Sequence, residues 1–186
     1  MAKITITEAL AEIKTIAARA QKKRDGVAKY IVRDSRIRDP FQAEGGSEKW
    51  IREECQGLRD LATRHIAIRR AIQTANIAEN LTVQGKTRTV SDWLTWRREV
   101  AQSEKEFLQM IHNSITITRT KLGQGGRMVA AAGMSQQVNL EKDAPIEVLV
   151  SVDEMQNLKD IESMELVLGE LDGKLSLFNA TCLIEV

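Results

Sequence analysis

The stretch "TITEALAEIKTIAARAQKKRDGVAKYI", residues 5–31, decides the fold class because it is typical of a long, capped helix. Thr5 and Glu8 have the spacing of a capping box, in which both side chains accept hydrogen bonds from backbone N–H groups at the helix start. Mostly apolar residues then recur at steps of three and four, which places them on one stripe of a helix. They are Leu10, Ile13, Ala17, Ala20, Arg24, Val27 and Ile31. We call such a predicted core-facing stripe the seam of its helix. Such a stripe predicts a partner helix.

A second helix follows a break in the pattern. The segment "RDPFQAEGGS", residues 38–47, contains Pro40, Gly45 and Gly46, which disfavour helix continuation. Ser47 is the predicted N-cap of the next helix. Its predicted seam consists of Leu58, Leu61, His65, Ile68, Ile72 and Ala75. The two helices are therefore expected to pair.

A β-branched pattern in "LTVQGKTRTV", residues 81–90, turns at Gln84 and Gly85 and predicts a hairpin. Thr89 with Asp92 then predicts the start of a third helix. Its predicted seam consists of Trp93, Trp96, Val100, Phe107, Met110 and Ile117. We expect the two tryptophans to pack in the core rather than to stack on nucleic-acid bases.

The last third of the chain predicts a linker and a fourth helix. Residues 123–145 are rich in glycine and small side chains and predict a flexible linker, followed by a strand in "IEVLVSV", residues 146–152. The sequence "LDGKL" is also a hairpin signal. A helix over 154–178 is favoured because a helical spacing persists over the whole segment. The spaced residues are Ile161, Met164, Leu168, Leu171, Leu175 and Phe178.

These elements predict a mainly α fold, an antiparallel helical bundle or a set of coiled-coil hairpins with a small β cap. The cap is expected to contain the 81–90 hairpin, the N-terminal "KITI" and a C-terminal strand in "TCLIEV". Residues 1–122 are predicted to form a three-helix core, 123–145 the linker, and 146–186 a segment that packs on that core.

Charge is distributed unevenly along a chain whose formal net charge is only +1. Residues 1–127 contain 24 Lys and Arg against 15 Asp and Glu, whereas residues 128–186 contain 3 against 11. Opposite net charges favour docking of the last segment onto the first, either within one subunit or between subunits.

Composition and motifs point away from catalysis and membrane insertion. Hydrophobic residues make up 42% of the chain, which suits a folded core, and no apolar run approaches the roughly 20 residues that span a bilayer. His65 and His112 lack a metal-ligand neighbour at helical spacing, and Cys55 lies too far from His65 for a nucleophile and its base. We expect no enzyme activity, no cofactor, no metal and no membrane contact.

Two short basic patches, "KKRD" at 22–25 and "IRRA" at 69–72, permit nucleic-acid binding. They are interspersed with acids and contain no recognisable reading motif. A basic face that binds the acidic part of the chain explains the same residues, and both interpretations stay open.

Three segments carry a family resemblance: "GGSEKWIREECQGLRDL" (45–61), "IRRAIQTANIAENLTVQGKTRTVSDWLTWRREV" (68–100) and "GELDGKLSLFNATCLIEV" (169–186). They resemble a group of small, uncharacterised proteins encoded by tailed bacteriophages. The helix that ends in "TAN" before a glycine-containing turn is also similar to the septicolysin-related coiled-coil family. The phage resemblance implies a virion structural protein made in the bacterial host cytoplasm, and it implies no catalytic residue.

The resulting hypothesis is a phage virion structural protein, in the capsid or the head-to-tail region, that acts by contacts with itself and with other virion proteins. The alternative is a nucleic-acid-binding phage protein that uses its basic helices. The candidate interaction residues are Arg69, Arg70, Arg127, Asp160, Glu162, Gly169 and Gly173.

Overall fold

A computed structural model describes residues 3–123 and 150–186, and the described part of the chain is mainly α-helical. The mainly α prediction with a small β part is confirmed. The elements in chain order are β1 (Lys3–Thr5), α1 (Ile6–Tyr30), a short 3-10 helix (Gln42–Glu44), α2 (Gly46–Ala78), β2 (Asn80–Val83), β3 (Lys86–Thr89), α3 (Val90–Glu99), α4 (Ala101–Gly123), α5 (Glu154–Thr181) and β4 (Leu183–Glu185).

The described residues divide into two compact units, one made of residues 3–92 with 172–186 and one made of residues 93–123 with 150–171. The predicted boundaries at 122 and 145 stay predictions, because the glycine-rich segment between them lies almost entirely outside the described residues.

Helices α1 and α2 form an antiparallel pair in the first unit. Their core joins α1 to α2 and to β4, and every fully buried member is aliphatic. It consists of Ile6, Ala9, Ile13, Ile16, Ile68, Ile72 and Ile184. Farther along the pair, Lys23 Nζ lies 2.9 Å from both carboxylate oxygens of Glu54, and Arg64 Nε lies 2.8 Å from Glu12 Oε1. Aliphatic burial therefore stabilises one end of the hairpin, and ion pairs fix its register.

The predicted α1 seam was partly wrong, whereas the α2 seam is confirmed. Ile6, Ala9 and Ile16 are buried, and the predicted seam positions Ala17, Arg24 and Ile31 are exposed. The stripe is rotated toward residues 6, 9, 13 and 16. Alanines and short apolar residues occur on two adjacent faces of α1, and the large isoleucines decide which face packs, because they bury more area.

The connection between α1 and α2 corrects the predicted cap. Helix α2 begins at Gly46, and Ser47 is a buried residue of its first turn rather than the N-cap. The Ser47 hydroxyl donates to Asp39 Oδ1 at 2.6 Å, and the Ser47 N–H donates to Asp39 Oδ2 at 2.9 Å. Asp39 therefore performs the capping function from eight residues upstream, while its Oδ1 also accepts the N–H of Phe41.

This cap should be sensitive to acid. The hydroxyl and N–H of Ser47, the N–H of Phe41 and the charge of Arg33 lower the pKa of Asp39 to about 2. Because the folded pKa lies below the unfolded value of about 3.9, its contribution to stability is present above that value and is lost as the pH falls toward 2. We expect carbon-detected NMR titration to place the Asp39 midpoint near 2. A midpoint near the unfolded value, with α2 still formed, would show that the cap is not made.

The β elements form two separate two-stranded sheets rather than one cap. Strand β1 pairs antiparallel with β4, with Ile4 opposite Ile184, so the predicted pairing of the chain ends is confirmed. Strands β2 and β3 form the predicted hairpin around Gln84 and Gly85, both of which have positive φ angles. The Lys174 ammonium donates a hydrogen bond to the carbonyl of Thr82 and ties the hairpin to the C-terminal part of α5.

In the second unit, α4 runs antiparallel to α5. The pairs that define this direction are Lys105 with Glu165 at 3.0 Å and Arg119 with Glu154 at 2.7 Å. The buried amide of Asn157 donates to the carbonyl of Leu108 at 3.3 Å. These contacts pair two basic residues of α4 with acids of α5, in agreement with the uneven charge distribution.

The predicted α3–α4 seam is correct at the tryptophans and wrong beyond them. Trp93 is only 2% exposed and contacts Trp96 edge to face, with ring centroids 5.5 Å apart. The later positions Val100, Phe107, Met110 and Ile117 are exposed. Helix α3 ends at Glu99 and α4 begins at Ala101. The next buried residue after Trp93 on this side is therefore Ala101, eight positions later, instead of the predicted Val100, seven positions later. The buried positions of α4 are shifted by one residue from the predicted ones.

Helix α5 confirms the choice of a helix over a hairpin for "LDGKL". All six predicted seam residues are buried or half-buried, with Leu171 and Leu175 the most buried. The Asp153 carboxylate accepts the N–H of Gln156 and caps the helix. Most of the predicted strand at 146–152 lies outside the described residues, and residues 150–152 are not part of a strand.

Candidate functional site

The outer face of α5 is a continuous exposed stripe that is separate from the buried seam. Its apolar members repeat every eleven residues, and the stripe also contains two glycines and one acid. We define this outer α5 face as Met155, Lys159, Glu162, Leu166, Gly169, Gly173 and Leu177, all exposed. Apolar side chains therefore lie on two faces of one helix, a pattern typical of a helix that is covered on both sides.

Space for a neighbour is present at the two glycines of this face. A Cβ atom built at Gly169 or at Gly173 would meet no atom within 4 Å among the described residues. Absent side chains at successive turns permit the backbone of another helix to approach closely. The close approach of another helix at these glycines is therefore sterically possible and stays a prediction.

The other predicted acidic and basic candidates do not all lie together. Glu162 lies on the outer α5 face, whereas Asp160 lies on a flank, where its carboxylate accepts a hydrogen bond from Gln156. Arg127 lies outside the described residues. Of the acidic pair, only Glu162 shares a face with both glycines.

The outer face of α2 is exposed, basic and partly apolar. Ile66 and Ile77 expose 63% and 65% of their surface, even though Ile68 between them is fully buried. The predicted candidates Arg69 and Arg70 lie between the two isoleucines. We define this outer α2 face as Arg59, Ala62, Ile66, Arg69, Arg70, Gln73 and Ile77, all exposed.

A third exposed row lies on α4 and was predicted to be core. Phe107, Met110 and Ile117 expose 58%, 54% and 52% of their surface, and Val100 continues the row toward α3. Because these residues keep helical spacing, the sequence pattern alone could not distinguish them from a buried seam. We call this set the α4 row.

A groove of about 730 Å³ lies between α1 and α2 and contains the first basic patch. Its walls include Arg19, Lys22 and Trp50. Of the other cations in the walls, Lys23 is paired with Glu54 and Arg64 with Glu12. Acids of the same hairpin thus neutralise part of the positive charge that a nucleic acid would contact.

The described histidines, cysteines and carboxylates form no catalytic or metal-binding cluster at these faces. No group of three His, Cys, Asp or Glu residues in 3–123 and 150–186 could hold a metal ion. Burial and the nearby Glu79 raise the pKa of the Cys182 thiol, which disfavours the nucleophilic thiolate. His65 Nε2 accepts a long 3.5 Å hydrogen bond from Arg69.

No protein-family model matches the chain, and no curated protein or solved structure is detectably similar to it. None of the helices in the described ranges combines the length and the apolar character needed to cross a bilayer. The exposed helix faces are therefore the features of the molecule that bear on its function.

Proposed function

We propose that the chain is a structural protein of a bacteriophage virion and that it acts by assembly contacts rather than by catalysis. The observation that carries the proposal is the α4 row, in which three large apolar side chains at helical spacing are each more than half exposed. Exposed apolar rows of this kind mark interaction sites, because a soluble helix otherwise directs such residues inward.

The physical reason is the free energy of apolar burial. Covering apolar surface gains about 25 cal/mol per Å², and fully burying a large aliphatic or aromatic side chain gains about 1.5–3 kcal/mol. Phe107, Met110 and Ile117 could thus contribute several kcal/mol to a contact that covers them. Burial of these side chains against a partner would therefore stabilise an assembly.

The virion assignment is supported by the resemblance of residues 45–61, 68–100 and 169–186 to tailed-phage proteins. Its expected partners are copies of itself and other virion proteins, in the capsid or in the head-to-tail region. The expected site of synthesis is the bacterial host cytoplasm.

Quantitative mass spectrometry of purified particles from the phage that encodes this chain tests the proposal. We expect the protein at a reproducible, stoichiometric ratio to the major capsid protein after density-gradient purification. Loss of the protein from particles during purification would contradict a structural role. A phage protein of known non-virion function, measured in the same samples, is the control for carry-over.

A second candidate function, nucleic-acid binding, is favoured by Arg19 and Lys22 beside Trp50 in the α1–α2 groove. Phosphate contacts of this kind weaken steeply as the salt concentration rises. Replacing Arg19 and Lys22 with glutamine should then weaken DNA binding and reduce its salt dependence. If the unmodified protein does not bind DNA at low salt, this second candidate function is wrong.

A further inference from the structure

We propose that the outer α5 face of one copy of this chain docks antiparallel on the outer α2 face of a second copy. The inference rests on the proposed function, which it deepens by naming a partner and the two faces that meet. It depends on three matches between these faces: apolar spacing, charge and available space.

The first match is the spacing of the large apolar residues. Ile66 and Ile77 are eleven residues apart on α2, and Met155 and Leu166 are eleven residues apart on α5. Eleven residues turn a helix by about 1,100°, within about 20° of three full turns, and advance it by about 16.5 Å. The rows therefore run nearly straight along both helices with the same repeat.

One antiparallel register aligns both rows. Leu166 lies opposite Ile66, and Met155 then lies opposite Ile77. Each of these four side chains is 63–65% exposed in the single chain, so a contact in this register covers four large apolar groups together. Burial of this kind supplies the main driving force of association.

The second match is charge, and it follows from the same register without adjustment. Arg70 is four residues after Ile66, and Glu162 is four residues before Leu166, so the two side chains lie opposite each other. Among the described residues neither has an ion-pair partner within its own chain. Lys159 lies opposite the neutral Gln73, so the register places no like charges against each other at these positions.

The third match is space. Gly173 lies opposite Arg59, whose long side chain needs room to lie between the helices, and a Cβ at Gly173 would meet no described atom within 4 Å. Gly173 thus leaves room for the side chain of Arg59.

The contact joins two unlike faces, which determines the kind of assembly. A reciprocal arrangement gives a dimer with two copies of the contact, and a head-to-tail arrangement gives a ring or a filament. Helix α5 carries six acids and two lysines, whereas α2 carries more basic than acidic residues, so the long-range field favours this pairing over α5 with α5.

Charge reversal tests the register in the full-length protein. We expect unmodified protein to self-associate in sedimentation velocity over a wide concentration range. Glu162→Arg alone and Arg70→Glu alone should each raise the dissociation constant by about tenfold or more, because like charges then face each other. The double variant Glu162→Arg with Arg70→Glu should recover association to within about threefold of the unmodified protein.

Asp160→Arg is the matched control, because it makes the same charge change on the flank of the same helix and should leave association unchanged. Circular dichroism of each variant verifies that the helices are retained. Three results would overturn the inference: a monomer at every concentration, an Asp160→Arg effect as large as that of Glu162→Arg, or a double variant as weak as the single ones.

The two proposals can fail separately. A monomeric protein that is nevertheless stoichiometric in particles would remove the self-contact and leave the virion role. Self-association with the expected charge swap, together with absence from particles, would retain the contact and remove the virion role.

Discussion

Replacing Trp93 with alanine is expected to lower the free energy of unfolding by about 3–5 kcal/mol, the usual range for a large buried aromatic residue. The Trp93 side chain is only 2% exposed, and its ring lies edge to face against Trp96. Truncation removes this contact and leaves a cavity whose walls relax only in part. Urea unfolding followed by far-ultraviolet circular dichroism measures the loss.

The neighbouring residue gives a matched control. Leu94 follows Trp93 directly on the same helix and is 36% exposed, so Leu94→Ala should cost much less. Trp96 is half-buried, and Trp96→Ala should fall between the two. A Trp93→Ala variant with an unchanged unfolding midpoint and impaired association would place this tryptophan in an interface instead of the core.

Local hydrogen-bonding signals in the sequence correctly predicted the starts of α1, α3 and α5, whereas the predicted Ser47 cap of α2 was wrong. The Thr5 and Glu8 capping box is formed, the Thr89 hydroxyl accepts the N–H of Asp92, and Asp153 caps α5. These signals succeed because donor and acceptor are three residues apart, so no tertiary information is needed. The Asp39 cap was missed for the converse reason: its partner Ser47 is eight residues away across a loop.

The predicted seams were correct on α2 and α5, partly wrong on α1 and wrong on α4 beyond the tryptophans. On α2 the seam around Ile68 and Ile72 was predicted correctly, since the opposite side is rich in arginine. On α4 two apolar rows compete. The break between α3 and α4 at Val100 shifts the buried positions of α4 by one residue. The spacing of apolar residues in the sequence does not reveal this shift, because both rows keep helical spacing.

The candidate contact surfaces were harder to predict than the fold for a related reason. Glu162, Gly169 and Gly173 were identified from charge and size, but their common exposed face becomes evident only when the buried face of α5 is known. The exposed rows that contain Ile66 and Leu166 were missed because only one apolar stripe was predicted for each helix. An eleven-residue repeat outside the seam was the available signal.

Ile68→Ala is expected to lower the free energy of unfolding by about 2–5 kcal/mol, whereas Ile66→Ala should change it by no more than about 0.5 kcal/mol. Ile68 is fully buried in the α1–α2 core, and Ile66, two residues earlier on the same helix, is 63% exposed. The chemical change is identical, so the difference measures burial alone. Urea unfolding at low protein concentration isolates the monomer, since self-association would add apparent stability.

The same pair of variants also separates the core from the proposed contact. Ile66→Ala should weaken self-association in sedimentation velocity while the monomer keeps its stability, because Ile66 lies opposite Leu166 of the second copy. Ile68→Ala should instead destabilise the monomer and affect association only through the folded fraction. Equal losses of monomer stability in both variants would mean that the outer α2 face is already covered within the chain, and the docking surface would then have to be sought on α4.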